Sequence, residues 1–174
     1  MPAKPASGAA VQRWLAGRGW KAFAFQRDVW RALKQGRSGL LHANTGTGKT
    51  LAAWLGALQA LGVETPPARA NAKKPLAPPL TVLWITPMRA LAADTARALR
   101  DPMAELAPTW SIGLRSGDTT SGERAAQDKR LPTVLVTTPE SLTLQLARAD
   151  PQDTLAHGQL VGGGGWDEVV GNKG

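Results

Sequence analysis

The sequence predicts an α/β fold, a parallel β-sheet sandwiched by helices, and three observations carry that expectation. Short apolar runs alternate with stretches of helical periodicity, which is the pattern of parallel strands joined by crossover helices. A glycine-rich loop, "ANTGTGKT" at 43–50, joins one such run directly to a helix. The chain of 174 residues, 43% apolar, has the length of one domain and enough apolar material for a core.

The elements follow in order. Residues 1–8 read as a disordered N-terminus, and Ala9–Leu15 as a short helix carrying Trp14. Phe25, Val29, Trp30 and Leu33 fall at helical spacing, with Gly36 as a stop. Ser38–Ala43 reads as a short buried strand, and Lys49–Leu61 as a helix with Gly62 just past its end. The proline-rich segment 62–80 lacks apolar periodicity and reads as a surface loop. Three strand-then-helix units come next: Thr81–Thr86 with Arg89–Leu106, Trp110–Leu114 with Ser121–Arg130, and Thr133–Thr137 with Pro139–Arg148. Pro102 is expected to break the first of these helices into Arg89–Arg100 and Pro102–Ala107, because proline removes one helical hydrogen bond.

Composition narrows the function classes. With no cysteine, a disulfide framework and thiolate metal sites are excluded, and His42 and His157 cannot form a zinc site unaided. No segment approaches the ~20 apolar residues of a membrane span, so a soluble cytoplasmic protein is expected. The net charge of +8 favours an anionic partner, although a scattered basic excess also serves solubility.

The loop at 43–50 carries the first chemistry. A tight turn at a strand end lets several backbone N–H groups converge on phosphate oxygens, and the next helix adds its positive N-terminal dipole. Asn44, Thr45, Gly46, Thr47 and Gly48 would form the cradle, with the glycines where a side chain would block approach. Lys49 would reach the outer phosphates and Thr50 would ligate Mg2+, an arrangement common to P-loop proteins as a whole, small kinases and GTPases included.

Several stretches together resemble a known family. "ANTGTGKT" is similar to motif I of the superfamily 2 helicases, "FQRDVW" (25–30) to their Q motif, "ITPMRALAAD" (85–94) to motif Ia and "VTTPESL" (136–142) to motif Ib. With "GLRSGDTT" (113–120), the set resembles the ligase-associated DEXH-box helicases near the Lhr group, over residues 20–148. The resemblance implies a RecA-like domain spanning 9–160, the first of two in an ATP-driven bacterial DNA helicase or translocase of DNA repair. It further implies a second RecA-like domain as partner, and a DNA ligase or nuclease acting alongside.

The resemblance also suggests roles. Phe25 and Gln26 would bind the base, since an amide can pair with the N6/N7 edge of adenine and so favour ATP over GTP. Thr86, Pro87, Arg89, Arg115, Gly117, Thr119, Thr137, Thr138, Pro139, Glu140 and Ser141 would line a path for single-stranded DNA or RNA. Thr86-Pro87 and Thr137-Thr138-Pro139 each stand where a strand gives way to a helix, a junction where hydroxyls and free N–H groups meet phosphate. The alternative is that these residues simply cap their helices, with Glu140, Asp118 and Arg124 holding the loops in shape. Trp30, Trp54 and Trp84 read as core, Trp20 lies near the Q motif, and His42 reads as a core histidine.

The tail differs in kind. Hydrolysis needs an acid at a neighbouring strand end to hold Mg2+ and usually a Glu to activate water, supplied in the family by a Val-rich strand ending Asp-Glu-x-His. Residues 161–174 read as a degenerate glycine-rich tail in its place. In one alignment Asp167 binds the metal and Glu168 acts as base. In the other, Trp166 and "EVVGNKG" match the family, and the acids fall on Gly164 and Gly165. Glycine weakens a strand at every position, so a poorly paired sheet and a marginal fold are expected.

Overall fold

The computed structural model describes residues 8–42, 48–61, 76–148, 158–164 and 168–172. Two helices, α1 (Gly8–Ala16) and α2 (Ala24–Lys34), precede strand β1 (Gly39–Leu41) and helix α3 (Lys49–Leu61). Then come β2 (Val82–Ile85), α4 (Arg89–Leu106), β3 (Ile112–Arg115), α5 (Ser121–Lys129), β4 (Val134–Thr137), α6 (Pro139–Arg148), β5 (Leu160–Gly163) and β6 (Glu168–Asn172). The sheet order is β1-β6-β5-β2-β4-β3. Strands β5, β2, β4 and β3 are parallel, whereas β6 runs antiparallel between β5 and β1. Strand β1 therefore points the same way as the parallel four, and all five end at one edge.

Alternation along the strands assigns the two faces. Val82, Trp84, Val134, Val136 and Leu160 join α1–α4 in the main core, while Leu83 and Leu135 pack on the opposite face with Leu80 and Leu142 of α6. Trp30, Trp54 and Trp84 are buried as expected, and the first two use their indole N–H to bond the carbonyls of Ala52 and Leu99. Helices α2 and α3 cross closely at Gly56, where a Cβ would stand 2.5 Å from Leu33 Cδ1.

Several expectations are corrected. Helix α4 runs unbroken through Pro102, because the buried row Ala92, Ala96, Leu99, Met103 and Leu106 holds both halves against the core. Burial of that row outweighs the one lost hydrogen bond. Strand β1 is not buried: it lies at the sheet edge, and Leu40 is 66% exposed. His42, just beyond it, is exposed rather than a core residue.

The glycine tail, finally, does form strands. Gly162 pairs with Trp84 across the β2–β5 ladder, and a Cβ at 162 would stand 3.0 Å from the Trp84 ring. The neighbouring indole covers the backbone that the missing side chain leaves bare. Of the disorder expected over 1–8, residues 1–7 lie outside the described residues and Gly8 opens α1 instead; of the loop expected over 62–80, residues 62–75 lie outside them and 76–80 form neither helix nor strand.

Candidate nucleotide and nucleic-acid edge

Most of the described residues that the sequence singles out gather at the edge where the parallel strands end. Ile85, Thr137 and Arg115 stand level in the ladder, so the segments after β2, β4 and β3 emerge side by side. Strand β1 delivers the chain to the glycine-rich loop at the same edge. Of that loop, Gly48, Lys49 and Thr50 are described, while Asn44, Thr45, Gly46 and Thr47 lie outside the described residues.

Gly48 has φ +82°, a left-handed conformation that suits glycine. Its carbonyl accepts the first bond of α3, from Ala52 N, and a second from Gln26 Nε2 at 3.4 Å. A Cβ at Gly48 would stand 3.1 Å from that amide nitrogen, so no side chain fits without displacing Gln26. Gln26 is itself 4% exposed, and its Oε1 accepts from Phe23 N at 3.0 Å. The glutamine thereby ties the start of α2 to the end of the phosphate loop. Lys49 and Thr50 open helix α3, where the dipole favours an anion.

A cavity of about 560 Å³ opens beside this tie, lined by Leu15, Gly19, Trp20, Lys21, Phe23, Gln26, Gly48 and Leu51. Trp20 is half exposed and Phe23 more so, and Phe23 stacks on Phe25 with ring centroids 5.9 Å apart. Sequence reasoning placed Phe25 and Gln26 here but missed Lys21 and Phe23. The alternation in "KAFAFQ" was the available signal, since exposed aromatics beside a buried amide rarely serve the core.

On the other half of the edge, the hydroxyls point inward. Thr86 is buried and donates to the Met88 carbonyl, and Thr137 is buried and donates to the Arg115 carbonyl at 2.8 Å. Thr138 accepts from Ser141 N and contacts the Ser141 hydroxyl, capping α6 with Pro139 in the first turn. Of these threonines Thr138 alone caps a helix; Thr86 and Thr137 instead donate to carbonyls, and α4 begins at Met88 without a side-chain cap. What faces solvent is Pro87, Met88, Arg89, Gly117, Pro139 and Glu140.

Arg89 joins the three segments. Its guanidinium pairs with Asp118 at 3.3 Å and lies against Gly117, where a Cβ would come within 2.7 Å of Cζ. Its charge also helps hold the Glu140 carboxyl below the usual range, after the stronger effects of the Glu140 backbone N–H and the Thr138 hydroxyl. Thr119 is half-buried; its hydroxyl accepts from Ser116 N and donates to the Leu114 carbonyl. Arg115 belongs elsewhere. Its side chain is 7% exposed and ion-paired to Asp128 at 2.6 Å, which removes it from the solvent-facing set.

The tail reaches the same edge by both alignments. Gly164 N donates to the Ile85 carbonyl, so its backbone stands at the end of β5 with no carboxylate to offer. Glu168 stands opposite Leu41, two residues before the phosphate loop begins, while Asp167 lies outside the described residues. Strand β6 thus separates β5 from β1. Among the described residues no helix is long and apolar enough to cross a membrane.

Comparison with known proteins agrees with this arrangement. Residues 23–161 match the DEAD/DEAH box helicase family. The chain is 40% identical over 134 residues to the Lhr helicase/probable uracil glycosylase of Mycolicibacterium smegmatis, which covers 71% of this chain and 8% of that protein. It is 36% identical over 143 residues to the ATP-dependent helicase Lhr-Core of Sulfolobus acidocaldarius, covering 78% of this chain and 16% of the relative. The fold matches Mycobacterium smegmatis helicase Lhr, solved bound to ssDNA and AMP-PNP, with a TM-score of 0.71 at 33% identity. That match covers 89% of this chain and 20% of the other. The fold is accordingly a RecA-like helicase domain, and the chain spans a small part of the length of these relatives. With most of its residues inside the matched region, the chain belongs to the DEAD/DEAH box helicase family, and Lhr helicases are among its relatives.

Proposed function

We propose that this chain is the ATP- and nucleic-acid-binding RecA-like domain of an Lhr-type helicase, binding ATP at one half of the sheet edge and single-stranded DNA at the other. The observation that carries the reading is the Gln26–Gly48 tie beside an aromatic cavity, on the same edge as the exposed Arg89–Gly117–Glu140 surface. The left-handed Gly48, whose missing Cβ leaves the turn open, fits a phosphate cradle. Lys49 would meet the outer phosphates, and Thr50 with the nucleotide's own oxygens would hold Mg2+, which supplies charge neutralisation there when bound. The adenine would enter the cavity beside Gln26 and stack on Trp20 or Phe23. Single strands would bind through their backbone, a sequence-tolerant and salt-sensitive mode that also admits RNA.

The Gly164 backbone favours a second reading for turnover: a domain that binds nucleotide without hydrolysing it by itself. In the relatives' pattern the metal-holding acid belongs at that strand end, and here the position carries no side chain. Glu168 and Asp167 remain the alternative source of the carboxylates. Titration with a fluorescent ATP analogue, against a Lys49→Ala control, tests the binding claim, and equal affinity in the two proteins would overturn it. Turnover stimulated by single-stranded DNA and abolished in Lys49→Ala would reject the hydrolysis-silent reading. Participation in DNA repair, with a second RecA-like domain and a ligase or nuclease partner, rests on family resemblance alone.

A further inference from the structure

The turn between β3 and α5 has an organiser that the family resemblance does not assign. Arg124, in the first turns of α5, donates three hydrogen bonds to backbone carbonyls: Nε to Thr119 O, and Nη2 to Ser116 O and Gly117 O, each at 3.0 Å. The helix that carries it is fixed in turn by a reciprocal cap. Glu123 N donates to the Thr120 hydroxyl, and the Glu123 carboxylate accepts from Thr120 N.

Peptide planarity turns these bonds into a directional statement. In a trans peptide the C=O of one residue and the N–H of the next point opposite ways, and the described chain has no cis bond. Each carbonyl drawn to Arg124 therefore drives the following N–H away from it. The Thr120 N–H so displaced is taken by Glu123, and the Asp118 N–H by the Ser116 hydroxyl at 3.3 Å. The Gly117 N–H, displaced by the Ser116 carbonyl, has no hydrogen-bond partner among the described residues. It belongs to the exposed glycine against which the Arg89 guanidinium lies.

We propose that Arg124 is a positioning residue for single-strand binding: by gathering three carbonyls on one side of the turn it presents the Gly117 N–H beside Arg89, and the pair receives a phosphodiester oxygen. The inference rests on the proposed single-strand function of this edge. Arg124 itself touches no phosphate, because its guanidinium is committed to the turn. A backbone N–H beside a guanidinium is a suitable anion seat, combining a fixed donor with a charge.

The experiment is fluorescence anisotropy of a labelled oligo(dT) with the whole chain, titrated at several salt concentrations, for wild type, Arg124→Met, Arg124→Lys and Arg89→Met. A direct phosphate contact contributes about 0.7 to the slope of log affinity against log salt for single strands. Arg89→Met is expected to lower that slope by about this amount. Arg124→Met is expected to weaken binding about tenfold with the slope unchanged, and Arg124→Lys, which keeps the charge but cannot span three carbonyls, to lose nearly as much. Binding of the fluorescent ATP analogue verifies that each variant is folded, and if Arg124→Met is not, Arg124→Lys decides alone. Wild-type affinity in both Arg124 variants, full rescue by lysine, or a slope lowered in Arg124→Met would overturn the proposal. If wild type binds no oligonucleotide, the single-strand reading fails first, and the two failures are told apart by that measurement.

Discussion

Replacing Gly48 with alanine tests whether the end of the phosphate loop is built as described. The residue has φ +82°, and a left-handed non-glycine residue costs about 1–2 kcal/mol. The new Cβ would also stand 3.1 Å from Gln26 Nε2, so the amide must move and its 3.4 Å bond to the Gly48 carbonyl is lost. A bond that long contributes at the weak end, roughly 0.5 kcal/mol. The sum is about 2 kcal/mol, which corresponds to about a 30-fold loss of ATP affinity if the strain is relieved by moving the loop. Titration of a fluorescent ATP analogue into wild type, Gly48→Ala, Gln26→Ala and the double variant separates the parts. The backbone strain persists without Gln26 while the contact does not, so Gly48→Ala should cost less in the Gln26→Ala background, by about 0.5–1 kcal/mol. Unaltered affinity and melting temperature in Gly48→Ala would refute the reasoning, and strict additivity would remove the Gln26–Gly48 tie.

Three further outcomes are expected. Gly162→Leu should lower the melting temperature by about 3–10 °C in a thermal melt, because its Cβ starts 3.0 Å from the buried Trp84 ring. Asp118→Asn releases Arg89 from an exposed ion pair and should tighten oligo(dT) binding about two- to fivefold, read by anisotropy at low salt. The Glu123 carboxyl is held below its ordinary value, first by the Thr120 hydroxyl and then by the Thr120 N–H. A depressed carboxyl contributes its stability above the unfolded-state pKa, about 4.3, and loses it as pH falls through the lower folded value. Melting temperature should therefore hold from pH 8 to about 5 with respect to this group and fall below that, less steeply in Glu123→Gln.

The parts of this fold that local pattern determines were legible in the sequence. Val82–Ile85, Val134–Thr137 and the helix after Gly48 follow from periodicity and a glycine-lysine-threonine turn, and Trp54 and Trp84 stand on apolar helix and strand faces that mark them as core. Misreadings arose where tertiary packing overrides the local rule. Pro102 continues a helix because the apolar row on either side of it is buried against the core, and Gly162 of β5 pairs with its bare backbone covered by the Trp84 indole. Arg115 shows the same limit at the site. A basic residue in a nucleic-acid-like motif is indistinguishable, by sequence, from one that Asp128 draws inward thirteen residues later. Arg124 shows the converse: the sequence offers it only as one of several residues holding these loops in shape, and the fold shows that it binds three carbonyls of one turn.

Hydrogen–deuterium exchange of the whole chain, alone, with ATP and Mg2+, and with oligo(dT), tests the central claim most directly. The account predicts that nucleotide slows exchange in peptides covering Phe23–Arg27 and Gly48–Ala53, and that oligo(dT) slows it in 86–90, 116–120 and 138–142. Protection by oligo(dT) confined to α1 and the far end of α4, or no protection by nucleotide at Gly48–Ala53, would contradict it.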